Sequence, residues 1–258
     1  MSELRVIFAI ARSDFSYFFR TKWLMAVLLS LSLSDMLVVA LVYKRIMSID
    51  YFKYFVPASI IMGLFAASMD VGRRIWLALR EGVIQYELSL PISTKGLVAA
   101  YLIAGGAAAL VYASALMAIA FLVLPAHAIW SAIILLPFLF ILAIGLSGIA
   151  ATLAAIASTH GEFFFAFQNI VQTLMLVLST VYYPVHVIQA YLPQPLAEVA
   201  TYNPLSLASK ALRNYTFDGL PVEPGLLGNI LVTSVLFALI GAVSYYWALH
   251  RFQVQGKI

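Results

Sequence analysis

The chain has 258 residues, 64% of them hydrophobic and only 10% charged, with a mean hydropathy of +0.99. Globular domains carry roughly 25% charged residues, so a soluble fold is excluded and one integral membrane domain over residues 1–258 is expected. The absence of Cys excludes disulfides and thiolate-bound clusters, and the net charge of +4 comes from cations set between apolar runs, not from a nucleic-acid patch.

Residues 2–22 spread Glu3, Arg5, Arg12, Asp14, Arg20 and Lys22 along their length, unlike a signal peptide with its uninterrupted apolar core. On a helical wheel Leu4, Phe8, Ala11, Phe15, Phe18 and Phe19 share one face, and Arg5, Arg12, Ser13 and Ser16 the other. That pattern predicts an amphipathic helix lying in the membrane interface. A first span is expected over residues 23–43, with Trp23 and Tyr43 at its ends as belt residues. It contains Asp35, the one acid deep in an apolar run. A carboxylate there costs on the order of 2.5–3.5 kcal/mol on insertion scales. Asp35 is therefore read as a pathway or gate residue, or as a partner in a bundle hydrogen bond with Ser32 or Ser34. After Lys44, Arg45, Asp50 and Lys53, span 2 is expected over residues 54–76, with Pro57 in its first turn.

Residues 80–97 are a polar island holding Arg80, Glu81, Glu87, Pro91 and Lys95. They predict a short amphipathic helix over residues 80–91, with Glu81 and Glu87 turned to a partner, Val83, Ile84 and Leu88 on an apolar side, and Pro91 as the stop. Then Asp, Glu, Lys and Arg are absent for about 66 residues, room for two spans of ~20 or more. Pro125, Ala126 and His127 make the turn between them, which gives spans at residues 97–124 and 129–157. The second carries Ala143, Ser147, Ala151 and Ala155 at every fourth position, a register that lets helices approach closely. The polar turn Ser158, Thr159, His160, Gly161 and Glu162 leads to span 5 at residues 163–181, opening with a Phe cluster. Residues 184–215 are apolar yet broken by Pro184, Pro193, Pro195 and Pro204. This composition suits short helices that dip into the membrane and return. Asn203 is expected to cap one of them, with Pro204 at its first position. Span 6 covers residues 225–249, and the tail carries Arg251 and Lys257.

Six spans put both termini on one side. That side holds Arg5, Arg12, Arg20, Lys22, Arg73, Arg74, Arg80, Lys95, Arg251 and Lys257, against Lys44, Arg45, Lys53, Lys210 and Arg213 on the other. The excess places the termini and the polar island in the cytoplasm of a multi-pass cell-membrane protein. No nucleotide-binding G-x-x-x-x-G-K-[ST] motif, no H-E-x-x-H and no G-x-S-x-G occurs. The four His show no ligand spacing, so no metal or catalytic residue is expected.

Taken together, the layout resembles the ABC-2 type permeases, the membrane subunits of ATP-driven exporters. Arg80-Glu81-Gly82, then Glu87-Leu88 and Leu90-Pro91-Ile92-Ser93, is similar to that family's cytoplasmic segment, one residue tighter at its start. Tyr202-Asn203-Pro204-Leu205-Ser206 with Ala211-Leu212-Arg213 is similar to its segment before span 6. The resemblance implies a coupling helix formed by Arg80, Glu81, Gly82, Ile84, Glu87, Leu88 and Pro91. It implies a separate ATP-binding-cassette ATPase that carries the ATP and Mg, a second permease chain making a homodimer, and export of an amphipathic or lipid-linked substrate such as a drug, lipid or glycan. Asp35, Asn203 and Pro204 become candidates for the pathway or gate. Two rivals remain at the level of sequence: a lipid-processing membrane enzyme and an ion-coupled carrier, each relying on Asp35.

Overall fold

In the computed structural model the described residues, 3–39, 41–42, 45, 50–125, 127–157 and 161–254, are helical with short connections and no strand. Ser2, Tyr43, Lys44, Ala126, Ser158, Thr159, His160 and Lys257, all used in the sequence reading, lie outside them, as does the side chain of Lys22. In chain order the helices are α1 (Glu3–Arg20), α2 (Lys22–Ser34, continued by a π-helical turn Asp35–Val39), α3 (Tyr51–Arg80), α4 (Val83–Ser89), α5 (Thr94–Val123), α6 (Ile129–Ile156), α7 (Gly161–Val177), α8 (Val185–Tyr191), α9 (Gln194–Tyr202), α10 (Pro204–Ala211, continued by a π-helical turn Leu212–Phe217) and α11 (Pro224–Val254).

Four of these, α3, α5, α6 and α11, are long and apolar enough to cross a membrane. At 28–31 residues and 1.5 Å rise they measure about 42–46 Å, more than the ~30 Å of hydrocarbon. The chain is a multi-pass membrane protein in this sense. The expected spans 1 and 5 correspond to shorter helices, α2 and the 17-residue α7. Glycines set how closely the long helices pack. A Cβ on Gly148 would lie 2.6 Å from the Cα of Gly241, so α6 and α11 meet backbone to backbone. The stripe Ala143, Ser147, Ala151 and Ala155 is buried inside the same bundle, which is the packing role rather than an outer interface.

The helices have two common ends. At the first, Thr94 Oγ1 on α5 donates to Gln253 Oε1 on α11 at 3.2 Å, and the Glu3 carboxylate on α1 accepts from Ser93 N and Oγ at 2.9 and 2.5 Å. The described starts of α1 and α5 and the end of α11 therefore gather there with α4. Gly161, where α7 begins, packs on Trp76 near the end of α3. At the second end, the start of α3 meets the segment after α7: Tyr51 donates to the Tyr182 carbonyl at 2.8 Å and Tyr54 to that of Tyr183 at 3.0 Å.

Two local expectations are corrected. Pro57 is not in the first turn of its helix but inside it, because Asp50 caps the helix earlier by accepting from Lys53 N. The apolar face of α1 is also divided. Val6, Ile10 and Phe18 pack into the protein, whereas Leu4 and Phe8 face outward. A wheel drawn from sequence merges the protein-facing and lipid-facing sides because both are apolar.

Candidate functional site

The polar island folds as an outward-facing bracket at the first end. Arg80 ends α3, exposed, its guanidinium 5.4 Å from the centre of the Trp76 ring. Glu81 closes the helix, its N–H donating to Leu77 O at 2.8 Å. Gly82 then takes φ 75°, the left-handed region that a residue with a Cβ enters only at a cost of about 1–2 kcal/mol. This reversal starts α4. Ile84 is fully buried and Leu88 packs beside it on the core, whereas Val83, expected on the same side, is turned out along with Tyr86, which is 67% exposed. Leu90 and exposed Pro91 end the bracket, and Ser93 caps α5 by accepting from Gly96 N at 3.0 Å.

Glu87 departs from expectation. Its carboxylate does not point at a partner; it accepts a hydrogen bond from Tyr101 Oη on α5 at 2.8 Å. Burial pushes its carboxyl above the ordinary glutamate range, the Tyr101 bond pulls it back and the charge of Asp14 adds to the rise. Glu3 is the opposite case, held below the ordinary range by its bonds to Ser93.

Beneath the bracket lies a charge cluster that the sequence reading did not assemble. Arg74 on α3 donates from Nη1 to both the Asp14 carboxylate and the Asp14 carbonyl on α1, the latter at 2.9 Å. Its Nε lies 3.4 Å from Asp70 Oδ2, and Asp70 also accepts from Arg73 at 2.7 and 3.3 Å. The side chains of Arg74, Asp70 and Asp14 are 2%, 7% and 9% exposed. Two acids and two cations balance, as buried charge requires. Burial still pushes the Asp14 carboxyl up, against the pull of Arg74. A cavity of about 150 Å³ opens beside the cluster, lined by Asp14, Tyr17, Arg74, Glu81, Glu87 and Tyr101 among others. Part of this was visible in the sequence. Asp70, Arg73 and Arg74 have i, i+3, i+4 spacing, and Asp14 falls in four-residue register with Val6, Ile10 and Phe18. What joins the two groups is a contact across 60 residues.

At the second end Asn203 is 93% buried and fully engaged. Its Nδ2 donates to Met175 O and Leu178 O at 2.9 and 2.5 Å, and its Oδ1 accepts from Leu205 N at 2.9 Å. One side chain thus closes α7 and starts α10, with Pro204 at the first helical position as expected. Ser206 repeats the device, accepting from Thr180 N and donating to Ala200 O. Arg213 stacks its guanidinium 3.7 Å from the Tyr54 ring centre and donates to Tyr54 O. Asn203 and Pro204 also line an apolar hollow of about 420 Å³ with Leu174, Tyr202 and Phe237. Asp35 stands apart from both groups, in a separate cavity of about 240 Å³. Neither the Ser32 nor the Ser34 hydroxyl bonds to its carboxyl; the Ser32 hydroxyl pairs with Tyr112 Oη at 2.9 Å. Among the described residues no group of His, Asp and Glu could hold a metal ion. A scan against protein-family models finds no match, and a search of curated proteins finds none.

Proposed function

We propose that this chain is the membrane subunit of an ATP-driven exporter of the ABC-2 type. It works as a homodimer with a separate ATP-binding-cassette ATPase and moves an amphipathic or lipid-linked substrate out of the cytoplasm. Six crossings are proposed: the four long helices together with the shorter α2 and α7. The termini and α4 lie in the cytoplasm, following the Lys and Arg excess. ATP and Mg belong to the ATPase.

The observation that carries this reading is the build of the α4 bracket. It offers exposed Tyr86, with Glu81 and Val83 exposed at the cavity beside the charge cluster. Its inner face is fastened to the bundle by buried Ile84 and by the Glu87–Tyr101 bond. A solvated connection needs no such bracing, whereas a lever that takes force from another protein does. Under the bracket the Asp14–Arg74–Asp70 cluster joins α1 to α3, so displacement of α4 is passed to the interfacial helix and the bundle together. Tyr in the middle of an exposed patch is also the residue type that dominates protein interfaces.

Co-expression with an ATP-binding-cassette chain tests this. The pair should co-purify, and reconstitution of the two should raise ATP hydrolysis above that of the ATPase alone. The double variant Val83→Asp, Tyr86→Asp should abolish both effects while the chain stays monodisperse. Undiminished coupling in that variant would remove α4 as the docking surface.

A further inference from the structure

The Asp35 cavity carries a reading of substrate class that nothing above assigns. It lies between α2, α3 and α7 and includes Ser59, eight residues into α3, about 12 Å from that helix's start at the second end. With α3 about 45 Å long and centred in a hydrocarbon layer of about 30 Å, that level falls roughly 4 Å inside the layer's edge. Its lining mixes apolar residues, Phe65 among them, with Asp35, Ser32, Ser59, Tyr182 and Gln172. Among the described residues no Lys, Arg or His forms an ion pair with Asp35 and none donates a hydrogen bond to its carboxyl. The buried acids elsewhere in the bundle are matched: Asp70 pairs with Arg73 and Asp14 with Arg74. A half-buried carboxylate that faces open volume with no counter-charge among the described residues offers a place for a cationic ligand.

We propose that this cavity binds a small amphipathic organic ammonium, with Asp35 as counter-ion, the hydroxyls of Ser59 and Tyr182 and the Gln172 amide accepting its N–H groups, and Phe65 beside its apolar body. A bare metal ion fits poorly. Calcium draws in six to eight oxygens at 2.3–2.6 Å, and here six of the eleven lining residues are apolar. Calling the ligand a substrate rests on the exporter reading; its binding to the purified chain does not.

The test uses the whole chain in detergent without any ATPase, so a failure of the exporter reading leaves the result interpretable. Binding of tritiated 2-phenylethylammonium is measured with unlabelled 2-phenylethanol, its neutral counterpart, as competitor. Saturable binding is expected, weakened tenfold or more by Asp35→Asn and largely kept by Asp35→Glu, with 2-phenylethanol competing at least tenfold less well than unlabelled amine. Wild-type binding in Asp35→Asn overturns the proposal. So does equal competition by the alcohol, an outcome that stands even where the Asn variant fails to fold. Absence of saturable binding to the wild-type chain overturns it as well.

Discussion

The two ends of the bundle are held together by different chemistry. At the α4 end, α1, α3 and the bracket meet through ion pairs and carboxylates: Arg74 with Asp14 and Asp70, Glu87 with Tyr101, Glu3 with Ser93. At the other end, Asn203, Ser206, Tyr54 and Arg213 bond to backbone carbonyls and amides. Side-chain ion pairs can be exchanged for others as helices shift. A side chain tied to carbonyls at the end of a helix holds one geometry, since the alternative is an unsatisfied buried group. The contrast teaches that one end is joined by side chains pairing with side chains and the other by side chains tied to the backbone.

The largest way to break this contrast is Arg74→Met. It leaves Asp14 and Asp70 buried against each other, and loss of one partner of a buried pair costs about 3–5 kcal/mol. Thermal unfolding in detergent should show a drop of that order, partly restored by adding Asp14→Asn. Next is Asn203→Ala, which strips donors from Met175 O and Leu178 O and the cap from Leu205 N. About 1–3 kcal/mol is expected, with protease cleavage appearing between α7 and α10. Equal effects from a surface Asn such as Asn229 would undo the claim that Asn203 ties the second end to the backbone.

The smallest effects sharpen the electrostatic side. Glu87 has its pKa raised in the folded chain, so its contribution to stability is present below the ordinary glutamate range and is lost as pH rises through its folded value. Glu3 has it lowered, so its contribution is present above the ordinary range and lost as pH falls through its folded value. Unfolding midpoints followed from pH 3 to 7 should therefore change in opposite directions for Glu87→Gln and Glu3→Gln relative to the parent. Glu87→Gln should be neutral or stabilising at pH 7; the same sign for both would contradict the assigned partners.

Much of this plan was legible in the chain. The run without charges marks α5 and α6 to within a few residues, since lipid excludes charge and Pro125 breaks the helix. Asn203-Pro204 announces its cap because the residue types match the geometry. Other features were hidden for physical reasons. Apolar periodicity cannot separate a face that meets protein from one that meets lipid, so Phe18 and Phe8 looked alike. A carboxylate on a short helix looks outward by default, and only the Tyr101 hydroxyl, fourteen residues on, turns Glu87 inward. The Asp14–Arg74 pair depends on tertiary contact between α1 and α3, which no local pattern specifies. Tyr86, the most exposed aromatic of the bracket, was passed over because it carries no charge.

The central claim is that α4 receives a separate ATPase while the opposite end does not. The chain has no Cys, so Tyr86→Cys and Tyr191→Cys each introduce a single thiol, one at either end, at positions 67% and 84% exposed. Each variant, co-purified with its ATP-binding-cassette partner, is treated with a short thiol-to-amine cross-linker. The account predicts a covalent adduct with the ATPase from Tyr86→Cys, lost when the ATPase is omitted, and none from Tyr191→Cys. An adduct from Tyr191→Cys, or a stable complex in which Tyr86→Cys gives none, would contradict it.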